Sequence, residues 1–274
     1  MEKLKFEART LDDSMVRDGL CAVAALEDAP MSKQMVFLVG GIATQSYLPS
    51  SQRRPTSDID LAVMRPLSYS EFKEFSKEAV SYLEDCHYIA RLNKGHNSYN
   101  LTFFGPSTHQ AAVIEFARRN SQNFEKISAR LNREYGNART KFVEERGESY
   151  AVSSPEDIVV PKIVRGIGTL KRHPEFFDNL PSDNLLPLTT DNIIEALRRI
   201  KKFRSEAIVH IGNPELSERL RFESDIYDIN LLSRAVGFNP EYLRESMSDW
   251  SILEERSGEN VKLVDYLFPH LQIR

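Results

Sequence analysis

Apolar positions recur with two different periods along this chain, and the change of period divides it into two parts. In the first part, short apolar runs bounded by Gly, Pro and Asn alternate with segments of helical spacing. After residue 152, helical spacing dominates. We therefore expect an α/β (α+β) fold at residues 1–152 and a helical C-terminal domain at 153–274.

The individual elements follow from the same pattern. Apolar runs predict strands at 35–39, 58–64, 86–92, 98–104, 111–117, 139–143 and 149–152. Helical spacing predicts helices at 12–28, 41–47, 71–82 and 124–133. In the second part a helix is expected at 153–170, kinked or restarted by Pro161, then a loop at 171–188 and further helices to 270.

Composition is that of a globular protein. The chain has 274 residues, 41% hydrophobic and 28% charged, which is enough for a buried core. The net charge of −4 provides no global basic field, although local basic faces remain open. Cys21 and Cys86 are expected to be reduced rather than disulfide-bonded. Because no signal core or run of ~20 apolar residues occurs, we expect a cytoplasmic protein without membrane contact.

The segment from residue 35 to 63 carries the clearest chemical signal. An apolar run enters Gly40-Gly41, and a second apolar run opens with Asp58-Ile59-Asp60. Side chains two apart in a strand project to the same side, and paired carboxylates bind a hard divalent cation. Glycines allow phosphate to approach the backbone at the start of the next helix. This pairing indicates chemistry on a nucleoside triphosphate, whereas two solvent-facing acids would not explain the Gly-Gly turn.

Glu115 is the single acid in the predicted strand at 111–117. Two-metal phosphoryl transfer generally needs a further carboxylate on a neighbouring strand, so Glu115 is a candidate third ligand. The alternatives are a solvent-facing residue or an ion pair with Arg118 or Arg119.

The sequence R-P-T-S-D-I-D-L at 54–61, following Gly40-Gly41, resembles the nucleotidyltransferase superfamily of DNA polymerase beta, CCA-adding enzymes and aminoglycoside nucleotidyltransferases. It is most similar to the AbiEii-type toxin branch. The resemblance is clear over about 33–65 and weaker at 111–118, 153–166 and 219–232. Two departures are a long spacer between Gly41 and Asp58 and the absence of a hydroxyl residue at Ile42, so Thr44 or Ser46 is expected to replace that contact.

The resemblance implies a nucleotidyltransferase-fold mixed sheet flanked by helices. It implies transfer of a nucleoside monophosphate from a nucleoside triphosphate to an acceptor hydroxyl, with two Mg²⁺ or Mn²⁺ ions held by Asp58, Asp60 and Glu115. It also implies an RNA acceptor such as the 3′ end of a tRNA, and a toxin–antitoxin pair with an antitoxin protein as partner. Two alternatives stay open: a small-molecule, aminoglycoside-like acceptor, and a non-catalytic nucleotide-binding protein of the same fold.

Residues outside the central motif complete the predicted site. Arg54 is expected to grip phosphate, and Lys162 to neutralise the leaving pyrophosphate. Asp225 is expected to orient the basic helix or the nucleotide. A solvated basic face, or an i,i+4 pair of Asp225 with Arg221, would also explain these residues. The predicted catalytic residues are Asp58, Asp60, Glu115 and Lys162; the predicted nucleotide-binding residues are Gly40, Gly41, Thr44, Arg54, Lys162, Arg165 and Asp225.

The densest basic cluster consists of Arg198, Arg199, Lys201, Lys202 and Arg204. It is a candidate local contact surface for RNA. The alternative is an ordinary solvated helix face.

Overall fold

A computed structural model describes residues 5–26, 36–117, 121–143, 146–178, 190–209 and 213–250, together with positions 264, 268 and 271. The chain divides into two compact units, Met1–Ser154 and Pro155–Arg274.

The described elements are as follows. The strands are β1 (Lys5–Phe6), β2 (Val36–Val39), β3 (Ile59–Val63), β4 (Ile89–Lys94), β5 (Ser98–Phe104), β6 (Gln110–Ala117), β7 (Arg139–Val143) and β8 (Glu148–Val152). The helices of the first unit are α1 (Ser14–Ala25), α2 (Gly40–Gln45), α3 (Tyr69–Phe75), α4 (Lys77–Asp85) and α5 (Ser121–Gly136). Those of the second are α6 (Pro155–Arg172), α7 (Glu175–Asp178), α8 (Thr190–Val209), α9 (Pro214–Val236) and α10 (Pro240–Asp249).

The strands of the first unit form one mixed sheet. Among the described residues its order is β4-β5-β6-β3-β2-β8-β7, and β1 pairs with β6 outside this path. The pairs β3–β6, β2–β8 and β1–β6 are parallel, and the others are antiparallel. The predicted α/β class, a mixed sheet flanked by helices and followed by further helices, is therefore confirmed.

Helices cover both faces of this sheet. On one face α1 approaches so closely that a Cβ added to Gly19 would lie 2.6 Å from Cδ1 of Ile59. On the other, Leu131 of α5 packs against Phe37 and Ala62. Because side chains alternate along a strand, Asp60 projects to the same face as Ala62.

In the second unit, α6 packs against α9 and α10, and α8 packs against α9. The central stretch of α9, residues 222–232, is buried throughout. Helix α6 runs unbroken through Pro161, so the predicted restart there is wrong. No helix within the described part of the chain is both long enough and apolar enough to cross a membrane.

Several boundaries differ from the sequence expectation. The predicted helix at 71–82 is two helices, α3 and α4, separated at Ser76. The predicted loop at 171–188 contains the end of α6 and the short α7, while residues 179–189 lie outside the described residues. Strand β1 was not predicted, because two residues carry no detectable period.

Candidate metal and nucleotide site

Three carboxylates converge at the edge where β3 and β6 lie side by side. Asp60 and Glu115 are register partners on these parallel strands, and Asp58 immediately precedes β3. Each side chain offers one oxygen, and these oxygens all lie within 4.8 Å of one another. All three residues are half-buried. Of the side chains the structure describes, these form the group able to hold a metal ion, and it is the group predicted from the sequence.

The donor set of this carboxylate cluster fits a hard divalent cation. Three carboxylates this close repel one another, and a cation between them removes that repulsion. Oxygen-only ligands suit Mg²⁺ and Mn²⁺, whereas a zinc site generally includes His or Cys. The three residues therefore satisfy the chemistry that the predicted cofactor requires.

The Gly-Gly turn lies directly against the acid-bearing strand. Gly40 has φ +73°, and a Cβ on it would lie 2.1 Å from Oδ2 of Asp60. A Cβ on Gly41 would lie 2.6 Å from Oγ1 of Thr56. Both positions exclude a side chain, so the turn backbone comes close beside the carboxylates.

Thr44 and Gln45 hold the turn from inside. Thr44 is fully buried, and its hydroxyl donates to the carbonyl of Gly40 at 3.0 Å. Gln45 donates to the carbonyl of Arg54 at 2.6 Å and accepts from the backbone N–H of Leu11 at 2.6 Å. Gln45 was not predicted from the sequence, because one amide in a short helix forms no recognisable motif. The direct contact of Thr44 with a nucleotide stays a prediction.

Arg54 is buried, with 7% of its surface exposed. One guanidinium nitrogen donates to the carbonyl of Pro55 at 3.3 Å. The expected contact between Arg54 and phosphate stays a prediction.

Arg9 is a second residue that sequence analysis missed. Its backbone exchanges two hydrogen bonds of 2.8 Å with Thr56, which fixes the segment leading into β3. Arg9 is 7% exposed; Nη1 donates to Asp13 at 3.2 Å, while Nε and Nη2 have no partner within the described residues. Together with Thr56 and Asp58 it lines a cavity of about 10 Å³, the size of one water molecule. No local pattern marks this arginine.

The second unit contains a buried ion cluster. Nζ of Lys162 lies 2.8 Å from Asp228 and 3.4 Å from Asp225. Arg165 binds Asp225 through two nitrogens, at 2.7 and 2.8 Å. The side chain of Arg165 is 41% exposed, whereas the other three are buried. Asp225 thus pairs across helices, and the alternative pair with Arg221 is not formed among the described residues.

The basic cluster on α8 separates into inward and outward residues. Arg199 lies 3.5 Å from Glu223, a carboxylate only 5% exposed. Burial raises the pKa of Glu223, and nearby Arg199 and Arg219 offset part of that rise. Arg198, Lys201 and Lys202 are exposed. Arg198 pairs with Glu195 at 3.4 Å and Lys202 with Glu206 at 3.9 Å, both on the surface of α8.

Comparisons with known proteins give only weak similarity. No family model matches the chain, and no curated protein sequence is similar to it. Among solved structures it is similar to an antigenic nucleotidyltransferase-like protein from Paracoccidioides brasiliensis. The identity is 15%, the TM-score is 0.38, and the match covers 78% of this chain and 95% of that chain. The identity and the TM-score are both low, so this similarity carries no conclusion about function.

Proposed function

We propose that this protein is a metal-dependent nucleotidyltransferase that moves a nucleoside monophosphate from a nucleoside triphosphate to an acceptor hydroxyl. The observation that carries the proposal is the convergence of Asp58, Asp60 and Glu115 beside a turn whose Gly40 leaves no room for a side chain. Carboxylate ligands and a turn backbone without side chains thus lie at one place. The resemblance of residues 54–61 to the nucleotidyltransferase motif supports the same conclusion.

The carboxylates would hold Mg²⁺ or Mn²⁺, two ions as in related chemistry, supplying charge neutralisation and oxygen coordination for the triphosphate. The acceptor oxygen attacks the α-phosphorus, and the bond from that phosphorus to the bridging oxygen of the β-phosphate breaks. Pyrophosphate leaves, and the hydroxyl proton passes to a carboxylate oxygen, for which Glu115 is the candidate. Gly40 and Gly41 keep the turn backbone beside the reacting phosphates.

Lys162, Arg165 and Asp225 are proposed to contact or orient the nucleotide. Lys162 is already paired with two buried carboxylates, which favours a role in orienting α6 against α9. The side chain of Arg165 is 41% exposed, and Asp225 holds its guanidinium. In this proposal Arg165 contacts phosphate, and Asp225 fixes its direction.

For the acceptor we propose RNA, with a tRNA 3′ end as the first candidate, and a toxin–antitoxin setting with an antitoxin protein as partner. The support is the sequence resemblance at 54–61 and the exposed cations of α8. The net charge of −4 opposes RNA binding, but screening limits its reach to ~8 Å at physiological salt. An aminoglycoside-like acceptor is the second candidate, because a cationic substrate suits an acidic protein.

The experiment is incubation with each of the four ribonucleoside triphosphates, labelled at the α-phosphate, in the presence of Mg²⁺. Total tRNA and an aminoglycoside serve as acceptors in separate reactions. Label in tRNA supports the first candidate, and label in the aminoglycoside alone supports the second. Triphosphate binding without label in either would favour a non-catalytic protein of this fold.

The proposed RNA surface on α8 has its own test. Reversing Arg198, Lys201 and Lys202 to Glu should weaken tRNA binding and flatten its salt dependence, while triphosphate binding stays unchanged. Arg199 is left intact, because a reversed charge there would face the buried Glu223. A control of equal charge change reverses the exposed Lys73, Lys77 and Lys126 of the first unit. An equal loss of tRNA binding in both variants would show that net charge causes the effect, and it would contradict a specific RNA surface on α8.

A further inference from the structure

A groove of about 740 Å³ opens on the first unit, away from the carboxylate cluster. Its walls are the start of α1, the loop after α2, and strands β7 and β8. Tyr150 of β8 lines it, and the neighbouring Ala151 packs with Phe37 on the α5 face. Since neighbouring side chains alternate, Tyr150 and the groove lie on the α1 face, opposite Asp60.

Cations from three separate elements reach this groove. Arg17 comes from α1, Arg53 from the loop and Lys141 from β7, while Asp12 is the single acid among the described lining residues. Asp12 pairs with Arg53, so the described lining residues keep a net positive charge. The hydroxyls of Ser46, Ser50 and Tyr150 lie among these cations.

Lys141 is the cation most suited to gain an anionic partner. Its ammonium lies 4.4 Å from the centre of the Tyr47 ring, which it shares with Arg139 at 5.5 Å. No carboxylate within the described residues pairs with it. Burial and the charge of Arg139 lower the pKa of Lys141. A bound anion would offset both effects.

We propose that this groove binds the phosphodiester backbone of a single-stranded nucleic acid. Guanidinium, ammonium and hydroxyl groups are the usual contacts to phosphate oxygens, and a positive groove that follows the backbone is typical of single-strand binding. The volume lies in the range of ligand sites, roughly 300–1,000 Å³, and is far larger than one phosphate ion needs. The groove also meets the outer strand β7 of the sheet, where a chain can leave it.

This site is distinct from the proposed catalytic one. Helix α2 runs from the Gly-Gly turn towards the groove, and its six residues span about 9 Å. A nucleic acid bound in the groove would therefore not cover the carboxylate cluster. The binding itself does not depend on the proposed function; only the further step, that the bound strand is the acceptor, rests on it.

The test is fluorescence anisotropy of an end-labelled oligouridylate of about twelve nucleotides with the full chain. Lys141→Gln and Arg53→Gln should each weaken binding roughly fivefold, the size of one net hydrogen bond. Each should also reduce the slope of log K against log salt by about 0.7, the value for one lost phosphate contact on a single strand. The matched control is Lys94→Gln, an exposed lysine on β4 at the opposite edge of the sheet, which should change neither quantity.

Three results would overturn the proposal. The first is no binding by the unmodified protein, or binding that the groove variants do not affect. The second is equal competition by uridine monophosphate, which would make the ligand a free nucleotide. The third is equal competition by an oligoglutamate of the same charge, which would indicate an acidic polypeptide. Asp58→Asn separates the two proposals, because it should abolish nucleotidyl transfer and leave oligouridylate binding unchanged.

Discussion

Gly40 occupies a position that requires both a left-handed backbone and the absence of a side chain. Its φ of +73° lies in the left-handed region, and its hydrogen points at the carboxylate of Asp60. An L-residue here would strain the backbone and displace a proposed metal ligand. The glycine therefore couples the geometry of the turn to the geometry of the site.

Gly40→Ala should lower the free energy of unfolding by at least about 1–2 kcal/mol, the cost of a left-handed alanine. It should also lower transfer on the order of 10²-fold, because Asp60 has to move. The control is Gly147→Ala: Gly147 has φ +72° but nothing within 4 Å of an added Cβ. It should show the stability loss from backbone strain without the loss of activity. Chemical denaturation and initial rates measure both, and equal activity in the two variants would contradict the role of Gly40.

Glu223 should make stability depend on pH. Burial raises the pKa of Glu223 in the folded protein above the ordinary 4.5. Between the ordinary pKa and the raised pKa, the folded protein therefore binds more protons than the unfolded chain. The free energy of unfolding then falls as pH rises through this window. Glu223→Gln removes the titration, so the variant should gain stability relative to the unmodified protein as the pH rises above the ordinary 4.5. Urea unfolding at several pH values tests this, and a constant difference across them would refute it.

At the scale of elements, α6 and α9 are joined by the charges of Lys162, Asp225 and Asp228. Removing one member of a buried ion pair leaves an uncompensated charge, which typically costs about 3–5 kcal/mol. Lys162→Met should destabilise the protein by that amount. Lys171→Met, an exposed change on the same helix, should stay within about 0.5 kcal/mol. Similar unfolding curves for both variants would contradict a stabilising role for the cluster.

The sequence predicted what short-range spacing controls. Asp58 and Asp60 could be placed on one side of a strand, and Gly40-Gly41 at a turn, because alternation and turn chemistry are local. The register that places Glu115 beside Asp60 is not local, so only its position as a single acid in a strand marked it. Spacing offered Arg221 as a partner for Asp225, but packing of α6 on α9 supplied Lys162 and Arg165 instead. Arg9 was not predicted for the same reason, because its contacts with Thr56 join segments that are distant in sequence.

Boundaries between elements show the same limit. The break between α3 and α4 falls at Ser76, which ends one helix and begins the next. A continuous helical period through this serine predicted a single helix. Pro161 was expected to kink or restart the helix, and α6 continues through it without a restart.

For the whole molecule, the two compact units meet in sequence between Ser154 and Pro155, close to the change of hydrophobic period at residue 152. Their interpretation as a catalytic and a helical domain stays a prediction. The carboxylate cluster and the Gly-Gly turn belong to the first unit, and Lys162, Arg165 and Asp225 belong to the second.

The central claim is that Asp58, Asp60 and Glu115 form the site of nucleotidyl transfer. The most direct measurement compares a triphosphate labelled at the α-phosphate with one labelled at the γ-phosphate, using the full chain, Mg²⁺ and total tRNA. We expect α-label in the acceptor, γ-label only in released pyrophosphate, and loss of both in Asp58→Asn and Asp60→Asn, which should remain folded. Transfer of the γ-label to the acceptor, or full α-transfer by either variant, would contradict it.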